Sequence, residues 1–458
     1  MTRGVRWSDP RRAGRRALVE WVAVTCIVVA ATIALSSTWV LSRANGVAYD
    51  SLMRWSAGAP SEAVLVVAID NRSLGDVGRW PWSRATHAEL IDQLTQAGAQ
   101  AIALDILFFE PEGEADTVLA GALRASGRAC LPEAVDPQAW AGGRPQATGP
   151  IAPLGSSAAG QGHVNLTADE DGIVRRLPLW LTGDGQVWPH LAVCLLEAAD
   201  RPLPTAPSIS ADRLVAEPVM VRFRGPPGAF RTVAAADVLR GEVPSSVIDG
   251  RLVIVGVTAD GLGDRYATPT SVHGQLFSGV EIQAALVDTL LSGESVRPVG
   301  EMATAVVSGG LILLLMAGLL TLNPRWGLAL SLGLVLTVLT ASWGLLQIGW
   351  WFEPAAAVLG AALALPLWSW RRLVAASVYL DMELAALDRD APDQVLWRRI
   401  GSDVVARQAS AMTGAIDRLK RLNLFVSGVL QVLPDATLVI DADGVVRLAN
   451  ARAETLFG

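Results

Sequence analysis

The sequence predicts an α/β domain carried outside a membrane by four transmembrane α-helices, followed by a coiled-coil helix and the opening of an α+β unit. Three observations predict it. The 458 residues are 51 % hydrophobic and only 18 % charged, too apolar for an ordinary soluble chain and too long for a minimal bundle of spans. Four apolar windows reach or approach the roughly 20 residues that cross a bilayer as helix. Between the first two windows, β-rich apolar runs alternate with helical patterns, which argues for a largely parallel central sheet.

The windows are residues 17–41, 303–322, 326–348 and 354–370, the last being the shortest and carrying Pro366. Basic residues beside short loops stay cytoplasmic. The cluster Arg11, Arg12, Arg15 and Arg16 in the basic stretch 1–16 is therefore inside, as are Arg325 and the pair Arg371-Arg372, while the uncharged turn 347–350 is outside. Four spans satisfy all of these placements and put both termini in the cytoplasm. Trp21, Trp39, Trp326, Trp350, Trp351, Trp368 and Trp370 fall at span ends, where an amphipathic indole prefers the headgroup layer. A cleaved signal peptide is the alternative for the first window. Its apolar stretch is longer than a signal core and no small-residue cleavage site follows, so an uncleaved anchor is the better reading.

This topology exports residues 42–300, a segment that from 43 onward holds 19 basic against 29 acidic residues. The whole chain carries −7 and no basic run beyond its first sixteen residues, so a nucleic-acid partner is unsupported. In the exported segment, 64–69 reads as a buried strand ending at Asp70, 83–98 as a helix, and 101–104 as a strand ending at Asp105. Residues 219–223 and 252–257 supply further strands, and 277–292 is a helix stopped by Gly293. Ligands of open α/β sheets bind beyond the carboxyl ends of strands. Asp70 and Asp105 occupy that edge, and Arg79, Trp80 and Trp82 nearby offer a cation and flat aromatic surfaces. The same residues have a structural alternative: strand-end aspartates cap the next helix, and Trp80-Pro81-Trp82 can plug a core.

No enzyme constellation emerges. His87, His163, His190 and His273 show no metal-ligand spacing, and no nucleophile-elbow pattern occurs. Cys26 lies in the first window. Cys130 and Cys194 are both exported, where a disulfide can persist; a buried free thiol is the alternative for Cys194 in its apolar helix 191–196.

Residues 64–84, with the run Gly78-Arg79-Trp80-Pro81-Trp82-Ser83-Arg84, together resemble the opening of the type-2 CHASE extracytoplasmic sensor domain. Residues 101–108, 162–165, 171–176, 264–269, 279–284 and 290–293 continue the likeness over most of 43–298, and three spans characteristically follow such a domain. The resemblance implies a sensor module upstream of a signalling output and defines no general ligand.

Residues 371–433 turn polar. Within them Val405, Ala409, Met412, Ile416, Leu419, Asn423, Val426, Leu430 and Leu433 recur at spacings of four and three, the seam of a coiled coil. A parallel homodimeric connector is expected, with Asn423 as its polar seam residue. Residues 434–458 read as two strands around an Asp443-Gly444 turn, then a helix start, and resemble the opening of a PAS domain that the chain leaves incomplete.

The expected function is that of a transmembrane signal-transduction receptor in a bacterial inner membrane, most like the sensor half of a two-component histidine kinase. Its expected partners are a second copy of the chain, the lipid bilayer, an unknown extracytoplasmic ligand or protein, and a response regulator if the output is a kinase. No cofactor or metal is expected within these residues; ATP and Mg are expected only if a kinase domain follows. The alternatives are the receptor part of a nucleotide cyclase and a non-signalling envelope protein that binds a periplasmic partner.

Overall fold

The computed structural model describes residues 10–457 apart from 37, 57, 137–145, 184, 206–214, 273, 390–415, 417–419, 422–423, 426–427 and 441–444. Two compact units divide it, Thr25–Ala362 and Met1–Val24 with Leu363–Gly458.

The chain begins with α1 (Pro10–Ser36) and α2 (Trp39–Ser56). The expected first window ran unbroken to residue 41, but the helix stops five residues earlier. Ser36 Oγ donates to the Ile33 carbonyl and Thr38 Oγ1 to the Leu35 carbonyl, and the Thr38 carbonyl then receives the first N–H groups of α2. Hydroxyl side chains that bond nearby backbone compete with the helical ladder in this way.

The strands between residues 42 and 300 include β1 (Val64–Ile69), β2 (Ala101–Asp105), β3 (Ala129–Asp136), β4 (Gln146–Thr148), β5 (Gly160–His163), β6 (Arg176–Gly183), β7 (Gln186–Pro189), β8 (Val215–Met220), β9 (Thr232–Ala234) and β10 (Leu252–Val257). One mixed sheet runs β4-β3-β2-β10-β1-β9, with β5 also on β3. Every pairing in it is parallel except that of β4 with β3. Helices α3 (Asn71–Val77), α4 (Arg84–Gln96), α5 (Glu114–Ser126), α6 (Ala152–Gly155), α7 (Leu191–Ala198), α8 (Ala235–Leu239) and α9 (Gly279–Ser292) connect the strands.

Alternate strand residues enter two separate cores. Val64, Val66, Ala101, Ala103, Leu252 and Ile254 pack with α7 and α9 on one face. Leu65, Val67, Ile102, Leu104, Val253 and Val255 pack with α4, α5 and α8 on the other. A sheet covered on both faces needs apolar residues at every position, which is why these strands read as continuous runs. Ser83 caps α4, and α9 opens on a Ser278/Glu281 capping box and ends on Gly293 in the left-handed region.

The expected strand at 219–223 is corrected. It is β8, ends at Met220, and leaves the central sheet for a three-stranded antiparallel sheet of order β7-β6-β8. The alternating stretch continues past the end of the strand: Val221, whose N–H still donates to the Arg175 carbonyl at 2.9 Å, and Phe223 are buried in the core.

After α9 come α10 (Glu301–Thr321), α11 (Gly327–Gln347) and α12 (Ala355–Arg389). Among the described residues, three helical stretches are long and apolar enough to cross a membrane: Leu18–Ser36, Glu301–Thr321 and Pro324–Gln347. Window 354–370 opens α12, where the apolar run stops at Arg371 and Arg372, short of about 20 residues. Its first part nonetheless packs tightly, since a Cβ at Gly360 would meet Thr32 of α1 at 2.5 Å and Ile312 of α10 at 2.8 Å.

In the other unit, Arg371 pairs with Glu20. Residues 428–432 are helical, and Leu438–Ile440 pairs antiparallel with Val446–Ala449 ahead of the helix Ala451–Phe457. Asn450 holds that junction, accepting from the N–H groups of Thr437 and Ala453 and donating to the Asp435 carbonyl. Of the seam residues, Val405, Ala409, Met412, Leu419, Asn423 and Val426 lie outside the described residues, and Ile416 is exposed while Leu430 is half-buried.

Candidate functional site

The residues expected at the sheet edge do not converge. Asp70 caps α3, its Oδ1 accepting the Ser73 N–H at 2.7 Å. Asp105 ends β2, and β10 separates it from β1, with Gly256 paired to both Asp105 and Ala68. Two strand spacings put the two aspartates roughly 10 Å apart. Trp82 is buried and donates through Nε1 to the Gly78 carbonyl, and Trp80 stacks edge-on against Trp82 and His87. His87 in turn meets Phe108, which lies under the Arg84 guanidinium. Trp80 and Trp82 thus complete a core, and Arg79 beside them is exposed. Asp105 differs from the rest, because burial and the neighbouring Asp264 push its carboxyl up to about 6.

A denser polar constellation lies where α2 meets the domain. Leu41, Asn45, Tyr49 and Met53 recur every four residues on the buried face of α2. Tyr49 and Met53 pack with Met220, Val296, Leu346 and Trp351, joining α2 to β8 and to the end of α11. Next to them Arg175, its side chain 5 % exposed, grips Asp50 with Nε and Nη2, both at 2.8 Å. Its remaining N–H groups reach Asp169 at 2.9 Å and Asp171 at 3.0 and 2.8 Å. All five guanidinium donors are used. Arg175 holds the Asp171 carboxyl below the usual range, mainly by hydrogen bonding. Gly46 gives the guanidinium its space, since a Cβ there would stand 2.9 Å from Nη2.

One turn back along α2, Asn45 donates to Glu353 at 2.8 Å and accepts the N–H of Ala355, the first residue of α12, at 2.9 Å. A side chain of one helix therefore caps another. The two-residue strand Arg297–Pro298 pairs with Trp350–Trp351 beside it. The exit from α9, the turn after α11 and the start of α12 all meet α2 within this one region.

The family model for the CHASE2 domain matches residues 24–322. The chain belongs to the CHASE2 family. CHASE2 is an extracellular sensor domain of signalling receptors, and with three helices among the described residues long and apolar enough to cross a membrane this chain is a membrane protein of that type. No curated protein and no solved structure matches the chain. The matched stretch starts inside α1 and ends just past α10, so in this CHASE2 chain it takes in the junction built around Arg175.

Elsewhere in the CHASE2 domain, Cys130 of β3 and Cys194 of α7 form a disulfide. His163 and His190 meet edge-to-face with centroids 4.9 Å apart, and both are buried. His190 accepts the Ala192 N–H through Nδ1. Burial lowers His190 to about 3 and His87 to about 4, the latter with help from Arg84, and it holds His163 well below its ordinary value. Among the described residues no three His, Cys, Asp or Glu side chains gather to hold a metal; His273 lies outside them. Sequence reasoning had Asp171, Arg175 and Arg176 only as part of a family likeness and missed Asp50. The available signal was the acidic run 169–171 followed, after three residues, by two arginines.

Proposed function

We propose that this chain is the sensing half of a multi-pass receptor in a bacterial inner membrane, with both termini cytoplasmic, and that it passes an extracytoplasmic signal to a PAS-linked output, a two-component histidine kinase. The observation that carries this reading is the Arg175 junction. It ties the CHASE2 core to α2, which begins three residues after the end of the span Leu18–Ser36, and Asn45 extends the tie to α12. A change in the domain that tilts α2 reaches α12 without crossing a flexible linker. A ligand drives such a change only through unequal affinity for two states.

Window 354–370 acts as the fourth span, supported by the close packing of Gly360 on α1 and α10. Residues 402–433 form a parallel dimeric connector between two copies of the chain, and the hairpin with its Asn450-braced helix opens a PAS module. The kinase output accounts for the expected response-regulator partner and lies outside these residues.

Reporter fusions after residues 200 and 400 test the topology and should fall on opposite sides of the membrane. Both fusions on one side would overturn it. The output is tested by incubating receptor-containing membranes with labelled ATP. Acid-labile phosphate on the receptor supports a histidine kinase, whereas cyclic nucleotide without phosphoprotein assigns a cyclase.

A further inference from the structure

A cavity of about 70 Å³ opens beside the Arg175 junction, enough for several waters or one small polar headgroup, since a single water needs roughly 10–15 Å³. Tyr49 lines it, is 1 % exposed, and has a hydroxyl with no hydrogen-bond partner. A buried hydroxyl left unpaired is costly, and such groups ordinarily have a partner. The charge on the lining also goes only partly used. Arg175 is saturated by Asp50, Asp169 and Asp171. Arg176 pairs with Asp169 while its side chain stays 50 % exposed. Arg43 makes no ion pair among the described residues and lies 5.5 Å over the Trp39 ring. Glu170 and Glu353 supply carboxylates on the same wall.

Two partly free cations and two carboxylates around one opening do not match a simple anion, which the carboxylates repel, or a simple cation, which the guanidinium groups repel. They match a molecule carrying both charges a few ångströms apart. The depth of the opening indicates where it comes from. Trp39 follows the end of the span Leu18–Ser36 by three residues, and Trp350 follows the end of Pro324–Gln347 by three. Indoles in that position mark the headgroup layer.

We propose that this cavity binds a phosphoethanolamine-type zwitterion, the headgroup of an outer-leaflet lipid, with phosphate toward Arg43 and Arg176, ammonium toward Glu170 and Glu353, and the Tyr49 hydroxyl on a phosphate oxygen. The inference rests on the span ends and not on the signalling output. Because binding is read directly, its failure leaves the receptor reading standing.

The test is native mass spectrometry of the full chain, delipidated in detergent and titrated with phosphatidylethanolamine, phosphatidylglycerol or soluble phosphoethanolamine. One phosphatidylethanolamine per chain should be retained about tenfold over phosphatidylglycerol, the scale of one or two charge-assisted hydrogen bonds. Tyr49→Phe, which keeps the ring against Trp351, and Arg43→Gln, on an exposed side chain, should each lower retention of both phospholipids several-fold, because both carry the phosphate, while Glu170→Gln, also exposed, should remove the preference for phosphatidylethanolamine. Binding of soluble phosphoethanolamine without the lipid keeps the zwitterion and moves its source to solution. Equal retention of both lipids by the unsubstituted chain, a preference that survives Glu170→Gln, or retention unmoved by Tyr49→Phe and Arg43→Gln overturns the proposal and leaves a cavity filled by water.

Discussion

A guanidinium as buried as Arg175 is tolerated because three carboxylates satisfy every one of its donors, and the same closure makes it fragile. Buried ion pairs add little net stability over apolar packing, but removing one partner strands the others. Arg175→Met should therefore destabilise the domain by about 3–5 kcal/mol, while Arg176→Met, on a half-exposed side chain, should cost less than about 1 kcal/mol. Unfolding midpoints of the full chain in detergent compare the two directly, and equal shifts would sink the argument. Asp105 makes the opposite prediction. Its carboxyl is raised from 3.8 to about 6, so the neutral form favours the fold, fully below pH ~4, and that contribution is lost as pH rises through about 6. Asp105→Asn should then stabilise the protein at pH 7.5 by on the order of 1–3 kcal/mol and change little at pH 4. The buried histidines run the other way. Lowered to about 4 and about 3, His87 and His190 favour the fold above the unfolded value of 6.5 and withdraw that support as pH falls through their folded values. A stability profile that rises from pH 6.5 to pH 3 would contradict their burial.

At the scale of elements, α2 carries the greatest consequence for function. Its buried stripe is set by a spacing of four, yet two of its inward residues, Asn45 and Asp50, are polar and serve α12 and Arg175 rather than the core. Asn45→Ala should cost about 0.5–2 kcal/mol, the usual worth of a lost cap, with faster amide exchange at Ala355 as the local readout; unchanged exchange there would remove Asn45 as the cap. Gly46→Ala would gain up to roughly 1 kcal/mol of helix propensity, but the 2.9 Å approach to Arg175 Nη2 should turn the net effect destabilising. Much of this level was legible beforehand. The strands 64–69 and 252–257 and the helices near 84–96 and 279–292 follow from local runs and caps, and they lie where those signals put them. The sheet β7-β6-β8 was not legible. Pro178 and Pro218 interrupt its strands, the β6–β8 register shifts between Pro178 and Trp180, and proline ordinarily argues against a strand.

For the whole molecule, the disulfide and the membrane boundary set the limits. Cys130 and Cys194 are 64 residues apart, and closing a loop of that length removes about 4 kcal/mol of unfolded-state entropy. Cys130→Ala with Cys194→Ala should lower stability by that order in the absence of reductant, and wild type in reductant should approach the double variant; a variant as stable as the oxidised protein would count against it. Composition and periodicity by themselves determined that this chain has apolar spans and an acidic α/β domain, because hydropathy, the two-residue alternation of strands and the turn of a helix are properties of neighbouring residues. Only the tertiary structure decided which polar residues matter. Arg175 meets Asp50 across 125 positions, and Asn45 reaches Ala355 across 310. Asp70 and Asp105, the residues most visible in the strand pattern, turn out to be a helix cap and a raised carboxyl beside Asp264, at the ends of separate strands. The reason is physical: burial and pairing, which set what a charged group can do, depend on what the fold brings beside it.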